Sequence, residues 1–127
     1  MSRHILIVDD SATTRAMIKR ILGLCGVDLT QVLEAGDGVA GLEMLRKHGA
    51  DLVLADLHMP IMGGVEMTAQ ILADPALRHV PVVIVSADPN VSRIEELKGR
   101  GVKGYLAKPF TPEAFREVLG RVLPLAA

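Results

Sequence analysis

The chain has 127 residues, 50% of them hydrophobic, with no Trp, two Phe and one Tyr. That length suits one compact domain that folds without staples, and its core has to be aliphatic. A net charge of −1 with no run of Lys or Arg argues against nucleic acid as a direct partner, since such binding needs clustered positive charge. The single Cys25 excludes an internal disulfide. Among Leu22, Leu24 and Val27 it reads as a small buried residue in a reduced compartment. The apolar run after Met1-Ser2-Arg3 is too short for a signal peptide, and nothing approaches membrane-spanning length. A soluble, cytoplasmic protein with no membrane insertion is expected.

His4 to Val8 is a β-branched, apolar run and predicts a buried strand ending at Asp9-Asp10. Ser11 can cap the helix that follows. Met17, Ile18, Ile21, Leu22 and Cys25 recur on it at spacings of three and four, which makes one apolar face, and Gly26 ends it. Gln31 to Glu34 predicts a shorter, weaker strand. Gly36-Asp37-Gly38 turns into a second helix with Val39, Leu42 and Leu45 inward, closed by His48-Gly49.

Asp51-Leu52-Val53-Leu54-Ala55-Asp56 is the third strand, an apolar run that stops at a carboxylate. Pro60-Ile61-Met62-Gly63-Gly64 is a loop, and Val65 to Ala73 a third helix. Val82 to Val85 is the cleanest buried strand and ends at Ser86. Asp88-Pro89-Asn90 is a turn leading into a thin fourth helix, with only Val91, Ile94 and Leu97 apolar. Such a shallow stripe predicts low local stability. Lys103 to Ala107 is the fifth strand, ending at Lys108-Pro109. Thr111 caps a last helix with Pro112 in its first turn and Phe115, Val118, Leu119 and Val122 inward. The alternation predicts an α/β fold, five βα units wound into a doubly covered parallel sheet, with 1–127 as a single domain.

The strand ends carry the chemistry. Open α/β sheets place ligands at the C-terminal rim of their strands, and here that rim offers Asp9, Asp10, Asp56, Ser86 and Lys108. Three carboxylates brought together repel unless a cation neutralises them. Oxygen ligands without Cys or His suit a hard ion such as Mg²⁺. Lys108 and Ser86 can then hold a phosphoryl group. Each residue alone has an ordinary reading, since Asp-Asp opens helices and Lys-Pro makes turns. The joint placement of all five is what carries weight.

Val8-Asp9-Asp10-Ser11, Asp56 with Met59-Pro60, Ser86-Ala87 and Lys108-Pro109-Phe110 resemble the receiver domain of two-component response regulators. The resemblance covers the whole chain and is closest to stand-alone, CheY-like chemotaxis regulators, including Gly104-Tyr105 before the Lys. It implies a flavodoxin-like sheet of strand order 2-1-3-4-5, a receiver domain with no output domain, and a phosphoacceptor switch rather than an enzyme. It makes Asp56 the phosphoacceptor for a sensor histidine kinase. Asp10, Asp56 and the backbone carbonyl of His58 would ligate Mg²⁺, with Asp9 assisting through water, while Ser86 and Lys108 contact the phosphoryl oxygens. Ser86 and Tyr105 would form the switch, repacking the face of the fourth helix, fifth strand and fifth helix. The Lys108-Pro109 bond is expected to be cis. A monomer is expected, with a flagellar motor component as target; the alternative is a shuttle to a histidine phosphotransfer protein. Departures are Gly63, where the family commonly has Asp, and Ser86, where Thr is commoner. His58 and Asp88, two residues past Asp56 and Ser86, are expected to set the hydrolysis rate.

Three rival readings stand beside it; one, a receiver that no longer switches and only binds a partner, is opposed by the intact Asp10, Asp56, Ser86 and Lys108. Gly36-Asp37-Gly38-Val39-Ala40-Gly41 fits the G-x-G-x-x-G dinucleotide fingerprint in the right context, with Asp56 twenty residues past Gly36, but Asp37 would face a pyrophosphate. A Mg²⁺-dependent phosphatase with an Asp nucleophile would resemble D-x-D, and position 58 is His.

Overall fold

The computed structural model describes residues 4–87 and 91–122, without the side chains of Leu29 and Val91. The turn expected at Asp88-Pro89-Asn90, the Val91 side chain and the tail from Leu123 lie outside the described residues. The strands are β1 Ile5–Val8, β2 Val32–Ala35, β3 Leu52–Ala55, β4 Val82–Ser86 and β5 Gly104–Ala107. The helices are α1 Ala12–Leu24, α2 Gly38–His48, α3 Gly64–Ala73, α4 Val91–Arg100 and α5 Pro112–Val122. The strands form one five-stranded sheet in the order β2-β1-β3-β4-β5. Every pairing is parallel, as the alternating pattern requires.

Alternate strand residues feed two cores, one on each face of the sheet. Leu6, Val8, Val53, Ala55, Val82 and Ile84 meet Leu42 and Leu45 of α2, Met67 and Ile71 of α3, and Leu97 of α4. Ile5, Ile7, Leu52, Leu54, Val83 and Val85 meet Ile18, Ile21 and Leu22 of α1 and Phe115, Val118 and Leu119 of α5. The central strands are buried on both faces, so they read as unbroken apolar runs. Each fully buried aliphatic side chain contributes about 1.5–3 kcal/mol, which is how so aromatic-poor a chain closes its core.

The register aligns the strand ends. Val8 pairs with both Ala35 and Ala55, and Ser86 pairs with Ala107. Asp9, Asp56 and Lys108 therefore leave their strands on one rim of the sheet. The Lys108-Pro109 bond is cis, as expected.

Several local expectations need correction. Met17 is 52% exposed and Val39 37%, although the spacing puts both on inward faces. Ile18, Ile21 and Leu22 already fill the groove over the sheet, so Met17 turns outward. Val39 lies in the first turn of α2, ahead of the buried Leu42 and Leu45. Cys25 is half-buried rather than buried, because it follows the last turn of α1. Leu29–Gln31 form a short 3-10 turn, so β2 begins one residue later than expected. β5 likewise starts at Gly104 rather than Lys103.

Candidate functional site

Asp9 follows β1 and is 2% exposed. Its N–H donates to the Ala35 carbonyl at 3.0 Å, tying it to the end of β2. Its Oδ1 accepts from the Ser11 N–H at 2.8 Å, and its Oδ2 accepts from Lys108 Nζ at 3.0 Å. Asp56 follows β3 and is 9% exposed. Its N–H donates to the Val8 carbonyl at 3.0 Å. Oδ1 accepts from the Leu57 N–H at 2.7 Å, and Oδ2 from Lys108 Nζ at 3.2 Å. One ammonium thus joins two buried carboxylates carried on different strands.

That contact shifts Lys108. Desolvation, the largest single influence, pushes its pKa down, but the hydrogen bond to Asp9 and the charge of Asp56 outweigh it. The net direction is upward from 10.5. Asp10 is exposed and completes the cluster. Each of the three residues offers a carboxylate oxygen, and these atoms lie within 4.8 Å of one another. Three carboxylates and one ammonium leave a formal charge of −2 at the site. An all-oxygen donor set with that charge fits a hard divalent cation such as Mg²⁺. Asp10 is the freest to ligate directly, since both carboxylate oxygens of Asp9 already accept hydrogen bonds.

Ser86 closes β4 and is 1% exposed. Its carbonyl accepts from the Lys108 N–H at 3.0 Å and from the Tyr105 hydroxyl at 3.1 Å. Tyr105 is half-buried and packs against the core shared with α2, α3 and α4. Its hydroxyl thus links β5 to the last residue of β4. His58 opens the loop after Asp56 with its side chain exposed.

The β3–α3 loop is held by close backbone approaches. The Gly64 N–H donates to the Leu57 carbonyl at 2.9 Å, and the Gly38 N–H donates to the Met62 carbonyl at 2.8 Å. A Cβ at position 64 would run into the Asp56 carbonyl oxygen, and one at position 63 would sit 2.7 Å from that of Leu57. The Gly-Gly pair is thus the form this loop requires, including Gly63 where Asp is the commoner residue.

The Gly36-Asp37-Gly38 segment has another job. Asp37 caps α2, its Oδ1 accepting from the Ala40 N–H at 2.9 Å. A Cβ on Gly38 would meet Met62 Cγ at 2.7 Å. A carboxylate and the β3–α3 loop occupy the helix end where a pyrophosphate would sit, which removes the dinucleotide reading. Sequence reasoning missed Arg15, whose Nη1 donates to the Asp9 carbonyl at 2.6 Å, and its partner Glu34.

A doubly wound parallel sheet with an acidic cluster and a lysine at its carboxyl rim has the layout of a receiver type of domain. Residues 5–120 match the response regulator receiver domain, and the chain belongs to that family. It is 41% identical to chemotaxis protein CheY-3 of Vibrio cholerae over 93% of this chain and 89% of that one. The crystal structure of Vibrio cholerae CheY4 superposes with a TM-score of 0.85 at 30% identity, covering 97% of this chain and 100% of that chain. The receiver domain of the Pseudomonas aeruginosa sensor histidine kinase PA1611, solved with a magnesium ion in its active-site cleft, gives a TM-score of 0.82 at 26% identity. That match covers 96% of this chain and 98% of that chain. No helix among the described residues is long and apolar enough to cross a membrane.

Proposed function

We propose that the protein is a phosphorylation switch that takes a phosphoryl group on Asp56 from the phosphohistidine of a sensor kinase. The observation that carries this reading is the shared lysine: Lys108 Nζ reaches both Asp9 and Asp56, at 3.0 and 3.2 Å. It holds the acceptor carboxylate at the rim, beside an open acidic position at Asp10. Phosphoryl transfer asks a protein mainly for positioning and charge neutralisation. An Asp56 carboxylate oxygen attacks phosphorus in line, the P–N bond to the donor histidine breaks, and an acyl phosphate forms. Mg²⁺, held by Asp10, Asp56 and the His58 carbonyl with Asp9 assisting, would neutralise the phosphoryl oxygens. Lys108 and the Ser86 hydroxyl supply the remaining contacts from the protein. The magnesium in the Pseudomonas aeruginosa relative supports that assignment.

The switch then runs through Ser86 and Tyr105. Both lie on adjacent strands and are joined through the Ser86 carbonyl, so a movement of Ser86 toward the phosphoryl group is felt at Tyr105. The face of α4, β5 and α5 is the surface that would change. The 41% identity to a chemotaxis protein supports a cytoplasmic chemotaxis role, with a flagellar motor component as target. The protein acts by binding and turns over its own phosphoryl group only.

The test is intact mass after incubation with a small acyl phosphate, with and without Mg²⁺. The expected result is a Mg²⁺-dependent gain of one phosphoryl group that Asp56→Asn abolishes while its circular dichroism is unchanged. Equal labelling of the variant would remove Asp56 as acceptor. Catalytic turnover of the donor beyond one equivalent, without accumulation of adduct, would favour a phosphatase.

A further inference from the structure

All four hydrogen-bonding groups of Asp9 are engaged. Its N–H is held by Ala35, its Oδ1 by Ser11 and its Oδ2 by Lys108. The fourth, its carbonyl, is held by Arg15 of α1. No step of the phosphoryl chemistry uses Arg15, yet the contact is short, at 2.6 Å. The guanidinium is itself anchored. Arg15 Nε donates to Glu34 Oε1 of β2 at 2.9 Å, and Glu34 Oε2 accepts from Lys19 at 3.2 Å. The Arg15 side chain is only 20% exposed. Burial works to raise the Glu34 pKa, but the hydrogen bonds and charges of Arg15 and Lys19 prevail and leave it lowered. The result is a rigid brace from the outer strand, through α1, to the main chain of one member of the acidic cluster.

We propose that Arg15, fixed by Glu34, is a positioning residue that holds Asp9 in place and thereby sets the affinity of the acidic cluster for a divalent cation. The inference rests on reading that cluster as a Mg²⁺ site. Groups that orient ligands from behind commonly matter tenfold or more in metal affinity. The sign of the effect separates this role from plain charge. Removing a cation beside a Mg²⁺ site should, by Coulomb's law alone, tighten binding. Removing a brace should weaken it. Lys at position 15 keeps the charge but lacks the planar fork that spans two acceptors.

The experiment is calorimetric titration of the full chain with magnesium chloride, for the wild type, Arg15→Ala, Arg15→Lys and Glu34→Gln, each checked for folding by far-ultraviolet circular dichroism. The Mg²⁺ Kd is expected to rise about tenfold in Arg15→Ala, and to rise also in Arg15→Lys and Glu34→Gln. At saturating Mg²⁺, Arg15→Ala should take up the phosphoryl group to the wild-type extent. If Arg15→Ala does not fold, Arg15→Lys carries the test, because Glu34→Gln removes an anion and weakens binding by charge alone. Folded variants that bind Mg²⁺ as tightly as the wild type, or more tightly, would overturn the proposal. So would a phosphorylation defect that saturating Mg²⁺ does not repair. A wild type that binds no Mg²⁺ would instead sink the functional reading beneath it.

Discussion

Lys108 spans the gap between two carboxylates that are 2% and 9% exposed. Removing it leaves both buried anions facing each other without a counter-charge. Breaking a fully buried pair costs about 3–5 kcal/mol, and partial exposure of the lysine discounts this to about 1–3 kcal/mol. Lys108→Ala should therefore unfold at lower urea than the wild type in Mg²⁺-free buffer. The sign with pH follows from the raised lysine pKa. The stabilisation is complete below the unfolded value of 10.5 and fades as pH climbs through the higher folded value. The gap between the two proteins should stay constant over neutral pH and close only in strong alkali. A gap that closed near neutrality would count against the ion pair as its source. A second residue stands apart from the site. Thr68 in α3 is 1% exposed, and among the described residues its Oγ1 meets no hydrogen-bond partner. Thr68→Val keeps the shape and removes the unmet hydroxyl. It should raise stability by about 1 kcal/mol, seen as a thermal midpoint a few degrees higher; a fall would show that the hydroxyl finds a partner in solution.

The β3–α3 loop shows how an element pays for its position. Ile61 sits at φ 67 with its side chain 81% exposed. A β-branched residue in the left-handed region is strained by about 1–2 kcal/mol, and this one recovers little by packing. The strain follows from the neighbours: Gly38 fixes Met62, and Gly64 must pass against Asp56. Ile61→Asn should relieve the strain and raise the urea midpoint by the equivalent of about 1 kcal/mol. A drop would mean that Ile61 makes a contact worth more than its backbone strain. The loop also marks where sequence reading stopped. The central strands were legible because double-sided burial writes unbroken apolar runs. Asp9, Asp10, Asp56, Ser86 and Lys108 were legible because each lies at or within two residues of the end of an apolar strand. The rest lacked a local signal. Arg15 and Glu34 meet across nineteen residues, and only the parallel pairing of β1 with β2 brings them together. The faces of Met17 and Val39 depended on what else filled the groove, which spacing alone does not record.

Across the whole molecule, the site joins what the chain keeps far apart. Asp9 and Asp10 follow β1, Asp56 follows β3 and Lys108 follows β5. Their formal charges sum to −2, from three carboxylates and one ammonium, so the folded state holds a repulsion that the unfolded chain escapes. A divalent cation bound there acts on folding as a whole. Binding to the native state alone stabilises by RT ln(1 + [Mg²⁺]/Kd), about 2.7 kcal/mol at a hundred times Kd. For a domain of this size that is a rise of roughly 10 °C in thermal midpoint. Sodium chloride at equal ionic strength should give a small fraction of it, because screening is a weaker remedy than ligation. Asp10→Asn separates the two contributions. It removes the exposed carboxylate, so without Mg²⁺ it should be more stable than the wild type, and with Mg²⁺ most of the added stability should vanish. The order of the two proteins thus inverts between Mg²⁺-free and Mg²⁺-saturated buffer. A variant that ranks the same way in both would mean that Asp10 neither repels its neighbours nor holds the ion.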